Sequence, residues 1–287
     1  MVAMNFIRPL FNALWIKNLL GVIVWKKQPI MPQLVVINYH GTPKKYITNF
    51  ENQIKFLLHN YEILTPEIFE KIANSDKPIV GRKLLITFDD GMRNNNHAFE
   101  ILKKYNISAY VFVIPEFVDK TNIYQKEYYL EHIRPKVDQN FGLEDEDFQT
   151  LNWKELSQLS NFHTIGSHSN SHQMLANMSE QLLEKEILFS KIKIYQNINK
   201  SPSTFCSINN TLNTVSPKAS SLIAQNYDFH FTTFPGNNIP IEKQLIKRVN
   251  IESHWPINAI KWALSPQDWN RYAVKITKYK NLHLRAK

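Results

Sequence analysis

The sequence predicts an α/β fold on a parallel sheet, either a barrel or an open sheet. Three observations carry the prediction. Short apolar runs bounded by turn residues recur along the chain. They are near-continuous rather than alternating, which favours strands covered on both faces. Helical patterns lie between them, as a parallel sheet requires of its crossovers.

Taken in order, the runs are 34–40, 83–90, 108–115, 163–168, 203–208, 228–234 and 245–251. After the first, "NFENQIKFLLHN" places Phe50, Ile54, Leu57 and Leu58 on one helical face. "NHAFEILKKYN" follows the second run. "SEQLLEKEILFSKIKIYQNI" begins at Ser179, a suitable N-cap, and "SPKASSLIAQN" carries Pro217 in its first turn. Residues 119–152 break the rhythm with a polar, Tyr-rich, acidic insertion, expected as a loop excursion above the sheet. In barrels and open sheets alike, functional groups collect where strands end at their carboxyl side. Asp89, Asp90, His40 and His168 all stand at such ends.

The 287 residues, 43% hydrophobic, suffice for one large domain or two small ones. A single cysteine, Cys206, excludes a disulfide framework and a thiolate metal cluster. It is expected as a buried small residue rather than a nucleophile. The formal charge of +9 is concentrated at the two ends. Residues 1–50 hold six of the 34 bases and no acid, and residues 271–287 hold another six and no acid. The 22 bases and 25 acids between them make the body mildly acidic. Such ends suit an anionic membrane surface, and no nucleic-acid signature accompanies them.

Residues 1–32 form a basic, Trp-bearing amphipathic segment and residues 266–287 a basic tail. The N-terminal stretch lacks the ~20 uninterrupted apolar residues of a membrane span, and it has no clear signal-peptide pattern. Two readings stand: a helix packed on the domain's own core, or one lying in a membrane interface with Trp15 and Trp25 flanking its apolar stretch. The protein is accordingly expected on a bacterial membrane surface, the cytoplasmic face favoured.

"TFDDG" at 87–91 ends its strand in two adjacent carboxylates. By itself the pair is also what a turn or a helix cap uses. "GSHSNSH" then sets His168 and His172 four apart after another strand. On a helical turn that spacing brings both imidazoles to one side. Two histidines and a carboxylate make a three-ligand set that leaves zinc an open position. A carboxylate on the metal cannot also be a free base, which gives a chemical reason for having two.

Together these motifs resemble the polysaccharide deacetylase family, the NodB-homology group of carbohydrate esterases. "TFDDG" matches its first motif and "HSNSH" its second, H-[ST]-x-x-H. "LNWKELSQLSNFHTIGSHSNSHQML" carries the Trp-bearing helix, strand and ligand loop in order, while "FTTFPGNN" and "LIKRVNI" resemble late strands. The resemblance covers residues 33–265. It implies a distorted parallel (β/α) barrel of about seven strands and de-N-acylation of an N-acetylated glycan or lipid-linked amino sugar. It also implies Asp89 as general base, with Asp90, His168 and His172 holding zinc or another divalent metal such as Co, Ni or Mn.

The family's third motif, roughly R-x-x-P-[FY]-G, has become "STFCSINNTLN" at 203–213. The arginine that orients the catalytic aspartate in relatives is therefore expected to be missing. The late Leu-x-His motif that supplies the general acid is absent too, leaving His40 in "NYHGT" or His254 in "IESHW" to replace it. A weakened or inactive carbohydrate-binding relative is the alternative these departures raise.

Overall fold

The computed structural model describes residues 13–25, 31–135, 143–209 and 214–283. Its strands are β1 (Gln33–Tyr39), β2 (Glu62–Leu64), β3 (Arg82–Phe88), β4 (Tyr110–Val113), β5 (Thr164–Ser167), β6 (Thr204–Cys206), β7 (Phe229–Phe231) and β8 (Arg248–Asn250). Seven of them lie side by side in the order β7-β6-β5-β4-β3-β1-β8, and β2 pairs with β3 below β4. All the pairings are parallel, with Ile37 beside Ile86 and Val36 beside Arg248. The chain just before β8 also bridges β7 at Phe231 and Ile246, so the sheet curls into a nearly closed barrel.

The main helices are α1 (Leu14–Trp25), α2 (Ile47–Asn60), α3 (Pro66–Ala73), α4 (Asn96–Lys104), α5 (Trp153–Leu159), α6 (Ser190–Ile198), α7 (Pro217–Asn226), α8 (Ile257–Ala263) and α9 (Ala273–His283). One set of strand side chains, including Val35, Ile37, Leu84 and Ile86, packs outward against Phe50, Ile54 and neighbouring helical residues. The alternate set, Val36, Leu85, Tyr110, Phe112 and Phe231, fills the barrel interior. Phe69 of α3 plugs it, its ring 5.5 Å from that of Phe229. Both faces are therefore buried, which is why the strands read as continuous apolar runs.

Two segments differ from their sequence-based expectation. The insertion is largely helical among its described residues: Asn122–Tyr128 runs on into a wide turn, Tyr129–Ile133, and Asp145–Phe148 forms a further turn of helix. Tyr128, Tyr129, Ile133 and Phe148 build a small core with Met92 and Phe117, and that burial orders it. The basic C-terminal stretch is α9 rather than a tail, because Tyr279 packs on Phe234 and Leu245.

α1 lies against α8, where a Cβ on Gly21 would sit 1.7 Å from the Asn258 carbonyl oxygen. Only glycine permits that approach. The opposite side of α1 leaves Trp15, Leu19, Val22 and Ile23 exposed. No helix among the described residues is long and apolar enough to cross a membrane.

Candidate active site

The carboxyl ends of β1, β3, β5 and β6 surround a cleft of about 310 Å³. His40, Asp89, Asp90, His168 and His172 all line it, whereas His254 lines a larger neighbouring pocket beside Tyr46. β3 ends at Phe88, and Asp90 and Gly91 then turn through left-handed backbone at φ 68° and 65°. For a non-glycine residue that conformation costs about 1–3 kcal/mol and persists only where the surroundings enforce it. A Cβ on Gly91 would come 3.2 Å from the Val113 side chain, so glycine serves both the turn and the space.

The bend separates the two carboxylates. Asp89 accepts two hydrogen bonds from Arg248 of β8, Nη1 to Oδ1 at 2.7 Å and Nη2 to Oδ2 at 2.9 Å. Both side chains are fully buried. Burial alone would raise the Asp89 carboxyl; the Arg248 guanidinium outweighs burial and holds it well below the usual carboxylate range. Arg248 completes its set by donating to the Thr232 carbonyl, Asn38 Oδ1, Thr87 Oγ1 and Cys206 Sγ. A buried ion is tolerable only when paired and bonded in this way.

Asp90 is the opposite case. Both its carboxylate oxygens are buried without a hydrogen-bond partner. His168 Nε2 lies 3.6 Å and His172 Nε2 3.7 Å from Asp90 Oδ1. The other ring nitrogens are taken: His168 Nδ1 meets the Cys206 carbonyl and His172 Nδ1 the His132 carbonyl, each at 2.9 Å. A carbonyl only accepts, so each Nδ1 carries a proton, and in the neutral ring Nε2 is then the lone-pair atom. Burial lowers His172 to about 4, which keeps it neutral at ordinary pH. Three donor atoms thus converge with their second sides fixed, an arrangement that fits a divalent cation. Asp89, His168 and Cys206 also converge. Their fit is poorer: Arg248 already occupies Asp89, and burial pushes the thiol well above its ordinary range.

The histidine pair is not on a helical turn, contrary to expectation. Residues 168–172 form an irregular loop with left-handed backbone at Ser169 and His172, which places the rings 5.0 Å apart. Glu186 pins the loop, accepting from the backbone N–H groups of Asn170 and Ser171 and from the Ser171 hydroxyl. That satisfied network replaces helical bonding as the source of rigidity.

His40 follows β1, its Nδ1 3.5 Å from Glu252 Oε1. Arg134 donates to the same oxygen at 3.0 Å. Burial works to raise the Glu252 carboxyl, but Arg134 and His40 hold it down at about 2. His40 also lines the cleft.

The missing third-motif arginine needs correction. "STFCSINNTLN" does lack it, and residues 210–213 lie outside the described residues. The guanidinium is nevertheless present, supplied by Arg248 from another strand. One signal was available: a lone arginine inside the apolar run "LIKRVNI" must find a buried partner. Glu252 and Glu186 carried no comparable signal. Cys206 is buried as expected, but it touches Arg248 at the base of the cleft rather than serving only as packing.

A parallel barrel that gathers titratable and cation-binding groups at the carboxyl ends of its strands has the layout of a barrel enzyme. The sequence profile of the polysaccharide deacetylase family matches residues 76–222, about half of the chain, and the protein belongs to that family. YxkH of Bacillus subtilis (strain 168), a polysaccharide deacetylase by its name, is 35% identical over 100 residues; the match covers 31% of this chain and 35% of YxkH. Among solved structures, IcaB from Ammonifex degensii is similar at a TM-score of 0.62 and 20% identity, covering 82% of this chain and 99% of that one. A polysaccharide deacetylase from Bacillus cereus gives 0.57 and 23%, covering 81% and 69%. The Streptococcus pyogenes deacetylase PplD, solved with acetate, gives 0.59 and 18%, covering 82% and 100%.

Proposed function

We propose that the protein is a metal-dependent hydrolase that removes the acetyl group from an N-acetylated amino sugar, in an envelope or capsular polysaccharide or a lipid-linked glycan. One observation carries the reading: the unpartnered Asp90 carboxylate faces two fixed histidine lone pairs, beside an aspartate clamped by an arginine. Asp90, His168 and His172 would hold the ion, zinc being a cation that two imidazoles and a carboxylate suit, with cobalt, nickel or manganese as substitutes. Bound there, it supplies Lewis acidity to the amide carbonyl and to a water.

The other roles belong to the chain's own groups. Asp89, held ionised by Arg248, is a weak base at rest; it orients the water and accepts its proton as the new C–O bond forms. His40 donates a proton from Nε2 to the departing nitrogen, and Glu252 steadies the ring through Nδ1. His254 lines the adjoining pocket rather than the cleft, so the role goes to His40 in this reading. A non-catalytic carbohydrate-binding relative loses its main support, because Arg248 restores the guanidinium whose absence suggested it.

The test is acyl release by the full chain with zinc or cobalt, across polymeric, oligomeric and lipid-linked N-acetylated substrates. Release that chelation removes and added metal restores, and that Asp89→Asn abolishes, supports the reading. No release from any of the three sinks it. On location, we propose peripheral attachment to an anionic bacterial membrane surface, the cytoplasmic face favoured. The basic chain ends and the exposed apolar side of α1 support this.

A further inference from the structure

Beside the catalytic cleft lies a second cavity of about 880 Å³, separated from it by a wall of Ile133, Arg134 and Asn209 that lines both. Its volume is in the range that holds a whole small-molecule ligand. Its surface is rich in rings and flexible apolar groups: Tyr46, Met92, Tyr129, Leu143, Met174 and Trp255.

Five of the polar side chains lining this cavity, those of Asn94, Arg134, Asp147, Glu252 and Ser253, are bonded to the protein, and Asn209 and His254 complete its polar lining. Asn94 accepts from the Thr42 N–H and donates to Asp147. Asp147 also accepts from the Glu144 N–H. The Ser253 hydroxyl donates to the Gly41 carbonyl, and Glu252 is held by Arg134 and His40. A sugar entering here would give up water for few hydrogen bonds in return, which is costly. A hydrocarbon chain would lose nothing and would meet aromatic faces and adaptable methionines.

The cavity wall is continuous with α1. Lys17 of α1 sits over the Trp255 ring at 4.2 Å from its centroid. The far side of the same helix is the exposed row of Trp15, Leu19, Val22 and Ile23. Residues four, seven and eight apart share one side of a helix, so the row is a single apolar strip. Lys17 and the apolar strip thus lie on opposite sides of α1, one meeting the cavity wall at Trp255 and the other facing outward.

We propose that this cavity binds the hydrocarbon aglycone of a lipid-linked N-acetylated amino sugar while the sugar head occupies the catalytic cleft. The inference rests on the proposed deacetylation for the identity of the head group. With acetyl as the group removed, the long chain belongs on the glycosidic side. Among envelope glycans, it selects the lipid-linked precursor over the finished polymer.

Binding and turnover test it separately. The full chain, without added metal, is titrated by calorimetry with methyl, octyl and dodecyl glycosides of one N-acetylated amino sugar, all below micelle formation. Affinity should rise at least tenfold from methyl to dodecyl. Met174→Glu, at an exposed rim position that the fold tolerates, should remove most of that gain. Leu143→Glu is the second probe of the same wall. Equal affinity along the series, or a gain untouched by both variants, overturns the proposal. Tighter binding of an N-decanoyl methyl glycoside than of the N-acetyl dodecyl glycoside, with its gain lost in Met174→Glu, would assign the cavity to the acyl group and also overturn it. Acetate release with added zinc is measured on the same compounds. Chain-length-dependent binding without release leaves the cavity assigned and sinks the deacetylase reading; release without chain-length dependence does the reverse.

Discussion

The cleft floor and the apolar side of the molecule are built on opposite terms. At the floor, Arg248, Asp89, His168 and Glu186 are buried and their charges or ring nitrogens are bonded, leaving the Asp90 oxygens as the conspicuous exception. On the apolar side, the neighbouring cavity sets rings and aliphatic groups beside the bonded Arg134–Glu252 and Asn94–Asp147 pairs, and the outer row of α1 exposes apolar groups alone. The first region is held by directional bonds on strand ends and tolerates no substitution of its charges. The second is set by shape and surface, so single changes there should alter preference rather than chemistry. That difference orders the expected effects.

The largest effect should come from Arg248. Replacing it with methionine leaves Asp89 as an unpaired buried charge, a change that costs on the order of 3–5 kcal/mol in comparable buried pairs. Arg248→Met should therefore lower Tm markedly and reduce kcat by at least about 100-fold. Arg248→Lys keeps the charge but loses the two-pronged geometry, and should recover stability better than kcat. KM should stay nearly constant in any variant that folds, because Arg248 reaches the cleft only through Asp89 and is not itself part of its lining. A KM rise with unchanged kcat would assign Arg248 to substrate binding and break the contrast drawn above.

The contrast also explains what could be read from the sequence. Strands buried on both faces leave continuous apolar runs, so the seven barrel strands were legible to within a few residues. β2 escaped because it is three residues long and half-exposed, with Glu62 first. The motif residues were legible because their types and spacing are chemical. Their geometry was less so: the four-residue histidine spacing suggested a helical turn, and left-handed backbone at Ser169 and His172 achieves the approach instead. Arg248 pairs with Asp89 across 159 positions in the chain, a relation only the barrel's closure creates. His40 and His254 both followed strands in apolar surroundings; the register that puts one in the cleft and the other beyond Arg134 was not readable.

Glu252 offers a smaller, pH-resolved effect. Its carboxyl drops from an ordinary 4.5 to about 2 in the fold, so it favours the native state while ionised. That contribution is complete above pH 4.5 and disappears as pH falls through about 2. The Tm of Glu252→Gln should accordingly sit below wild type at pH 6–7 and converge with it towards pH 2. Activity should fall about 10- to 100-fold, a part of the roughly 10²–10⁴-fold that a positioned proton donor contributes, since only its orienting partner is lost. A Tm gap that widens on acidification would show that Glu252 does not carry the ion pairs assigned to it.

The smallest effect on chemistry, and the sharpest on location, belongs to α1. Gly21 fixes one side of the helix against α8, so the outer row cannot turn inward without losing that contact. Burying Trp15, Leu19 and Ile23 in a lipid interface is worth roughly 1.5–3 kcal/mol for each large side chain fully removed from water. The basic chain ends add attraction to anionic headgroups that weakens as salt rises. Full-length protein should float with anionic liposomes at low salt. A Leu19→Glu, Ile23→Glu double variant should stay largely in the soluble fraction while hydrolysing a short-chain soluble substrate at the wild-type rate, since neither residue approaches the cleft. Retained flotation would move the lipid contact off this helix. Lost flotation together with lost soluble-substrate activity would show that α1 supports the barrel through α8, and that its exposed row is incidental.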